Sequence, residues 1–186
     1  MSLDVRPDAT LDDLYRAGGK AELVAGRIIH LMPTGFRPGV VGDRIFRSLD
    51  DFAKATRHGV ALPDNVGFTV PELSSGRESF SPDAALFIGS LPTDEMDFIE
   101  GAPILAVEVR SKNDYLGSAE KEQAAKRADY FEAGTRVVWD VDVKARVVRS
   151  FLADSPDRPI VFSVGQVANA EPAVPGWRMA VDEIFA

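Results

Sequence analysis

The run Ile104–Lys112, ILAVEVRSK, limits the fold of this chain more than any other stretch. Apart from Glu108 it is continuously apolar from Ile104 to Val109. A run of that kind reads as a strand covered on both faces, so layers must lie on either side of its sheet. An ionised carboxylate inside such a strand costs several kcal/mol or shifts its pKa unless something answers it. Either Glu108 lies at the solvent end of the strand, or a positive group compensates it.

The rest of the chain can supply those layers. Thr10-Leu11-Asp12-Asp13 predicts a capped helix that stops at Gly18-Gly19. Glu22–Val24 and Arg27–Leu31 flank Ala25-Gly26 and predict a hairpin. Val41, Ile45, Leu49 and Phe52 recur at helical spacing, with Gly59 as the expected stop. Strands are expected at Asn65–Val70 and Asp83–Ile88, then a polar, acidic loop over Gly89–Pro103. After the Ile104 strand come a helix from about Ser118 to Ala133 ended by Gly134, strands at Val137–Val141 and Arg146–Leu152, and a last one near Ile160–Val164 with a short tail. Strands with two main helices interleaved predict a mixed α/β (α+β) layered domain, one domain over residues 1–186.

Composition narrows the function. No stretch approaches the length of apolar residues a transmembrane helix needs, and the polar start MSLDVRPDATLDD argues against a signal peptide. With no cysteine there is no disulfide, thiolate metal site or thiol nucleophile, and a cytoplasmic address fits. The net charge of −8 disfavours non-specific binding to nucleic acid, although a local cluster or a metal ion can override it.

If Asp83–Ile88 and Ile104–Val109 pair antiparallel, matching Ile88 with Ile104 sets Val109 opposite Asp83 and Glu108 beside it. A slip of one residue then decides whether the two carboxylates share a face. Two carboxylates at a sheet edge suit Mg²⁺, which is usually held by one or two carboxylates, waters and substrate phosphate. Three cations could complete such a site. Arg110 and Lys112 follow Glu108 at alternate positions, and with ideal pleating project on its face. Lys126 lies on the following helix, four residues before Tyr130, and is carried inward if Tyr130 packs on the sheet. Taken singly, these residues read more blandly: Asp83 after Pro82 as a turn residue, Lys126 as a solvated helix residue. His30 and His58 have no cysteine or further histidine near them in sequence, which disfavours zinc. The segment TGFRPG, Thr34–Gly39, lacks the Gly-Lys-Ser/Thr ending of a P-loop, and Ser111 has no histidine partner in view. Arg37, Arg44 and Arg47 read either as a basic approach to DNA or as a solvated helix face.

Three segments, SPDAALFI, ILAVEVRS and AAKRADYFEAGTRVVWDVD, together resemble the Uma-type restriction-endonuclease family within the PD-(D/E)XK nuclease superfamily. The resemblance extends to AELVAGRIIHLMPTG upstream and AVPGWRMAVDEIFA downstream, so it covers most of the chain. It implies a restriction-endonuclease-like core, a central mixed sheet flanked by helices, and Mg²⁺- or Mn²⁺-dependent cleavage of DNA. It implies Asp83 and Glu108 as metal ligands, Lys126 as the helical lysine and Glu22 as a further acid of the site. Arg110 stands where the superfamily usually has its lysine, a departure shared by relatives whose lysine has moved to the helix. By analogy, the exposed apolar edges of such a sheet also imply a homodimer. The rival reading is a nuclease-fold module that binds or regulates without cleaving, which the acidic net charge favours.

Overall fold

The structure, a computed structural model, describes residues 8–186; part of the polar start, residues 1–7, lies outside them. Thr10 and Asp13 form a capping box, each side chain accepting from the other's backbone N–H, at the head of α1 (Leu11–Ala17). Gly18 and Gly19 then turn the chain, at φ of 65° and 72°, into the hairpin of β1 (Ala21–Val24) and β2 (Arg27–His30). The next helix, α2 (Phe36–Thr56), starts earlier than its apolar spacing indicates and takes in most of the TGFRPG segment. It buries Val41, Ile45, Leu49 and Ala53 and ends on Arg57 in the left-handed region, not on Gly59.

Beyond α2 the chain is more finely divided than expected. β3 (Val60–Pro63) was not anticipated, and Asn65–Val70 contributes only β4 (Phe68–Thr69). β5 (Ser79–Phe80) precedes β6 (Ala84–Phe87), and the expected loop contains β7 (Ile99–Glu100). Then follow β8 (Leu105–Val109), α3 (Ala119–Glu132), β9 (Val137–Asp142), β10 (Val147–Leu152) and β11 (Ser155–Ser163), the last starting earlier than the Ile160 run. The tail holds β12 (Val167–Asn169), β13 (Arg178–Ala180) and the short α4 (Val181–Ile184).

A six-stranded mixed sheet in the order β11-β10-β9-β8-β6-β3 is the centre of the molecule. Its one parallel pair, β8 and β9, is joined through α3; the other neighbours run antiparallel. Side-chain alternation then explains the apolar run Ile104–Val109. Leu105, Val107, Val109, Trp139 and Val141 face α2 and the C-terminal segment, where Trp177 stacks on Trp139 at 4.8 Å. Ala106, Val138, Ala85 and Phe87 face the other way, toward Tyr130 of α3 and the small sheet β5-β4-β7. The tail is therefore part of the core: Ala168, Val174, Trp177 and Ile184 are all buried.

The pairing of β6 with β8 differs by one residue from the expectation. Ala84 pairs with Val107 and Leu86 with Leu105, so Ile104 falls level with Phe87 instead of Ile88. Asp83 precedes β6, with its N–H on the carbonyl of Val107, the residue before Glu108. The acid at the head of β6 and the one near the end of β8 thereby line the same cleft.

Candidate active site

Glu108 lies on β8 next to Ala106, on the face covered by α3, at the end of the strand where that cover thins. Its side chain is 29% exposed. Tyr130, fully buried, donates its hydroxyl to Glu108 Oε1 at 2.6 Å. One turn earlier on the same face of α3, Lys126 places Nζ 2.9 Å from Glu108 Oε1 and 2.9 Å from Glu22 Oε1. The inward packing of Tyr130 thus carries Lys126 with it. The carboxylate inside the apolar strand is compensated by a lysine and a tyrosine.

Glu22, on β1, is 3% exposed and has partners on both oxygens. Arg77 binds Oε2 at 2.6 Å, and the Ser81 N–H donates to Oε1 at 3.0 Å. Arg77 also binds Asp129 at 2.8 Å, so it bridges the hairpin and α3. Asp83 stands where the chain enters β6. Its N–H donates to the Val107 carbonyl at 2.9 Å, and its Oδ2 accepts from the Val109 N–H at 2.7 Å, serving as an extra rung beside the ladder. Its Oδ1 is 2.7 Å from Lys20 Nζ, which also lies 2.6 Å from Asp64 Oδ1. These groups line one cleft of about 990 Å³.

The two glutamates are pushed in opposite directions. Burial disfavours the charge on Glu22, but Lys126 and Arg77 outweigh it and hold the pKa below its ordinary value. For Glu108, burial reinforced by the charges of Asp83 and Glu22 outweighs Lys126 and raises the pKa. Burial also opposes the charge on Lys126, yet Glu108 and Glu22 overcome it and raise the pKa, so the ammonium stays charged at neutral pH. Lys126 is therefore a fixed positive charge in this arrangement and a poor base.

The other candidates are engaged elsewhere. Arg110 is on the face of Glu108, but its guanidinium grips Asp140 at 2.6 Å and Glu120 at 2.7 Å; Asp140 is the β9 residue paired with Glu108. Lys112 is exposed in a short 3₁₀ turn, Lys112–Tyr115, at the cleft mouth. Ser111 caps that turn with Asp114. Arg37 and Arg44 donate to the Phe185 and Ala186 carbonyls, and the exposed Arg47 pairs with Asp43, so they form no joint basic approach. His30 is exposed at the end of β2, while Nε2 of His58 is buried with no partner among the described residues.

Four residues of the site carry no clear signal in the sequence: Lys20, Asp64, Arg77 and Ser81. Lys20 was the most findable, because it lies two residues before Glu22 and adjoins the strand that carries it. Arg77 lies in a glycine- and serine-rich turn, where no periodicity predicts which side chain points inward.

Among the described residues no group of three or more His, Cys, Asp or Glu is arranged to hold a metal ion. The donors that face the cleft fit a hard ion that keeps its waters. Glu108 takes both of its contacts on Oε1, and Oε2 has no partner among the described residues. Asp83 brings Oδ1, which accepts from Lys20, to the same cleft. Two carboxylate oxygens match the usual protein share of a Mg²⁺ site and fall short of a zinc site.

Comparison with known proteins gives this cleft its context. The Uma2 family model, described as "Putative restriction endonuclease", matches residues 8–182. Among solved structures, the crystal structure of "a putative nuclease belonging to DUF820" from Anabaena variabilis ATCC 29413 is similar. It has a TM-score of 0.71 at 20% identity, covering 95% of this chain and 97% of that one, which shows a common fold. A comparison with the curated proteins returns no match. With its family model spanning all but the first seven and last four residues, the chain belongs to the Uma2 family.

Proposed function

We propose that the chain is an endonuclease that hydrolyses DNA phosphodiester bonds in the cytoplasm with a divalent ion, Mg²⁺ or Mn²⁺, held by Asp83 and Glu108. The observation that carries this is a lysine fixed 2.9 Å from the Glu108 carboxylate, in the cleft that a second carboxylate, Asp83, also lines. The family and the nuclease-like fold support it.

A divalent ion bound there would supply Lewis acidity toward the scissile phosphate and lower the pKa of water. The chain's own residues do the rest. Asp83 is aimed by the Val109 N–H, and Glu108 by Tyr130 and Lys126, so both carboxylates are held in position. Lys126, held charged by Glu22 and Glu108, stands ready to balance negative charge that grows on the phosphate. Glu22 keeps the ammonium in place and, tied to Arg77 and Ser81, has no free oxygen with which to act as a base.

Lys126→Ala should lower Mg²⁺-dependent nicking of plasmid DNA about 10²-fold or more, the usual effect of removing a preorganised charge stabiliser. Lys112→Ala, exposed and outside the ion-pair cluster, should change the rate little. Reversed behaviour of the two variants would put the working lysine on the strand side. A wild type that nicks nothing with Mg²⁺ or Mn²⁺ would favour the second reading, a nuclease-fold binding module, which the net charge of −8 supports.

A further inference from the structure

Lys20 has no part in the chemistry above, yet it is held as closely as Lys126. It enters the cleft from the start of the hairpin, and its side chain is only 19% exposed. Its Nζ lies 2.7 Å from Asp83 Oδ1 and 2.6 Å from Asp64 Oδ1, two oxygens converging on one small cation. Asp64 belongs to the turn after β3, whose strand pairs with β6, so the sheet holds the two acids near each other. Asp83 Oδ2 is already taken by the Val109 N–H. Oδ1 is therefore the oxygen left for an ion, and the ammonium sits on it.

An ammonium and a divalent ion on the same carboxylate oxygen repel one another strongly at such separations. One must withdraw. The ammonium is tethered by four methylenes and has a second partner in Asp64, so it can shift without losing all of its compensation.

We propose that Lys20 is a tethered counter-cation that occupies the ion-facing oxygen of Asp83 until a divalent ion displaces it, and that it thereby sets the metal affinity of the site. The proposal rests on Asp83 being a metal ligand. It accounts for an arrangement that otherwise opposes metal binding: without a metal, Lys20 neutralises Asp83 while Lys126 neutralises Glu108. A singly charged ion gains too little from the two carboxylates to expel the ammonium, whereas a divalent ion gains about twice as much.

The test is Mn²⁺ binding to the full chain without nucleic acid, followed by the electron paramagnetic resonance signal of free Mn²⁺. Lys20→Met should bind Mn²⁺ about tenfold tighter or more than the wild type, because a positive charge beside the ion is gone. Lys20→Arg keeps the charge and should stay close to the wild type. Thermal melting checks that each variant is folded, and Lys20→Gln, which keeps a hydrogen bond to the acids, replaces Lys20→Met if that variant melts early. A folded Lys20→Met or Lys20→Gln that binds Mn²⁺ no more tightly than the wild type overturns the proposal while leaving the metal site standing. Asp83→Asn separates the two questions. If Mn²⁺ binds equally well with Asp83→Asn, or if no variant binds it at all, the metal-ligand role of Asp83 fails and the role of Lys20 fails with it.

Discussion

Glu22 and Glu108 share one lysine, yet their opposite pKa shifts predict opposite behaviour on neutralisation. Glu22 has its pKa lowered from 4.5, so its ionised form contributes stability that is present above that value and lost as pH falls through the folded pKa below it. Glu22→Gln should therefore destabilise by about 3 kcal/mol at neutral pH, the cost of leaving buried cations without their partner. The difference from wild type should shrink in acid below 4.5. Glu108 has its pKa raised from 4.5, so the fold holds its proton more tightly, and stability falls as pH rises from 4.5 through the raised value. Glu108→Gln should thus be no less stable than the wild type at neutral pH without divalent ions, and inactive in nicking. Urea unfolding of the three proteins across pH checks both signs; a Glu108→Gln variant as unstable as Glu22→Gln would refute the asymmetry. Glu108 and Lys126 were legible in the sequence because each breaks or joins a pattern: a charge within an apolar run, a lysine four residues before a packing tyrosine. Lys20 and Arg77 were not, because a cation next to a glycine pair or in a serine-rich turn looks like any solvated residue.

The elements that the sequence announces well are those whose end signals are local. α3 ends as its glycine predicts: the Thr135 N–H donates to the Tyr130 carbonyl at 2.9 Å and the Gly134 N–H to the Phe131 carbonyl at 3.1 Å, the double bond pattern of a Schellman motif. Gly134 itself has φ of 107°. A Cβ there would meet nothing within 4 Å, so any cost of substitution comes from the backbone alone. Gly134→Val should destabilise by more than about 1 kcal/mol, since a β-branched residue resists positive φ. An unchanged denaturation midpoint would show that this turn tolerates a side chain. The two-residue strands β4, β5 and β7 could not be read the same way, because partners distant in sequence define them. The β6–β8 register failed by one residue for a related reason: β7 takes up part of the intervening loop, so the apolar boundaries do not mark the turn. At the outer edge of the sheet, β11 leaves Ile160 and Val161 half-exposed, but Pro156 and Pro159 remove two N–H donors from it. A homodimer built on that edge would meet through side chains and not through a continuous ladder.

At the scale of the whole molecule, charge decides between cutting and binding. The chain carries −8 overall, and most cations of the cleft are already paired: Lys20 with Asp64 and Asp83, Lys126 with Glu22 and Glu108, Arg77 with Glu22 and Asp129, Arg110 with Asp140. Arg37 and Arg44, which the sequence offers as a route for DNA, instead fasten the C-terminal segment to α2. Within the cleft, few phosphates can therefore be met by cations that are not already neutralised. Any affinity of the cleft for duplex DNA should then depend on a divalent ion that offsets its acidic charge. Without divalent ions, binding at physiological salt should be weak. Ca²⁺, a hard ion that also takes carboxylate oxygens, should strengthen it. In Ca²⁺, the slope of log affinity against log salt should be shallow, about −3 or less in magnitude, because each neutralised phosphate contributes about −0.9. Fluorescence anisotropy of a labelled duplex, titrated across salt with and without Ca²⁺, measures both quantities. Tight binding that ignores Ca²⁺ and falls steeply with salt would mean that a basic surface outside the cleft does the work, and the chain would then be a binding module built on a nuclease fold.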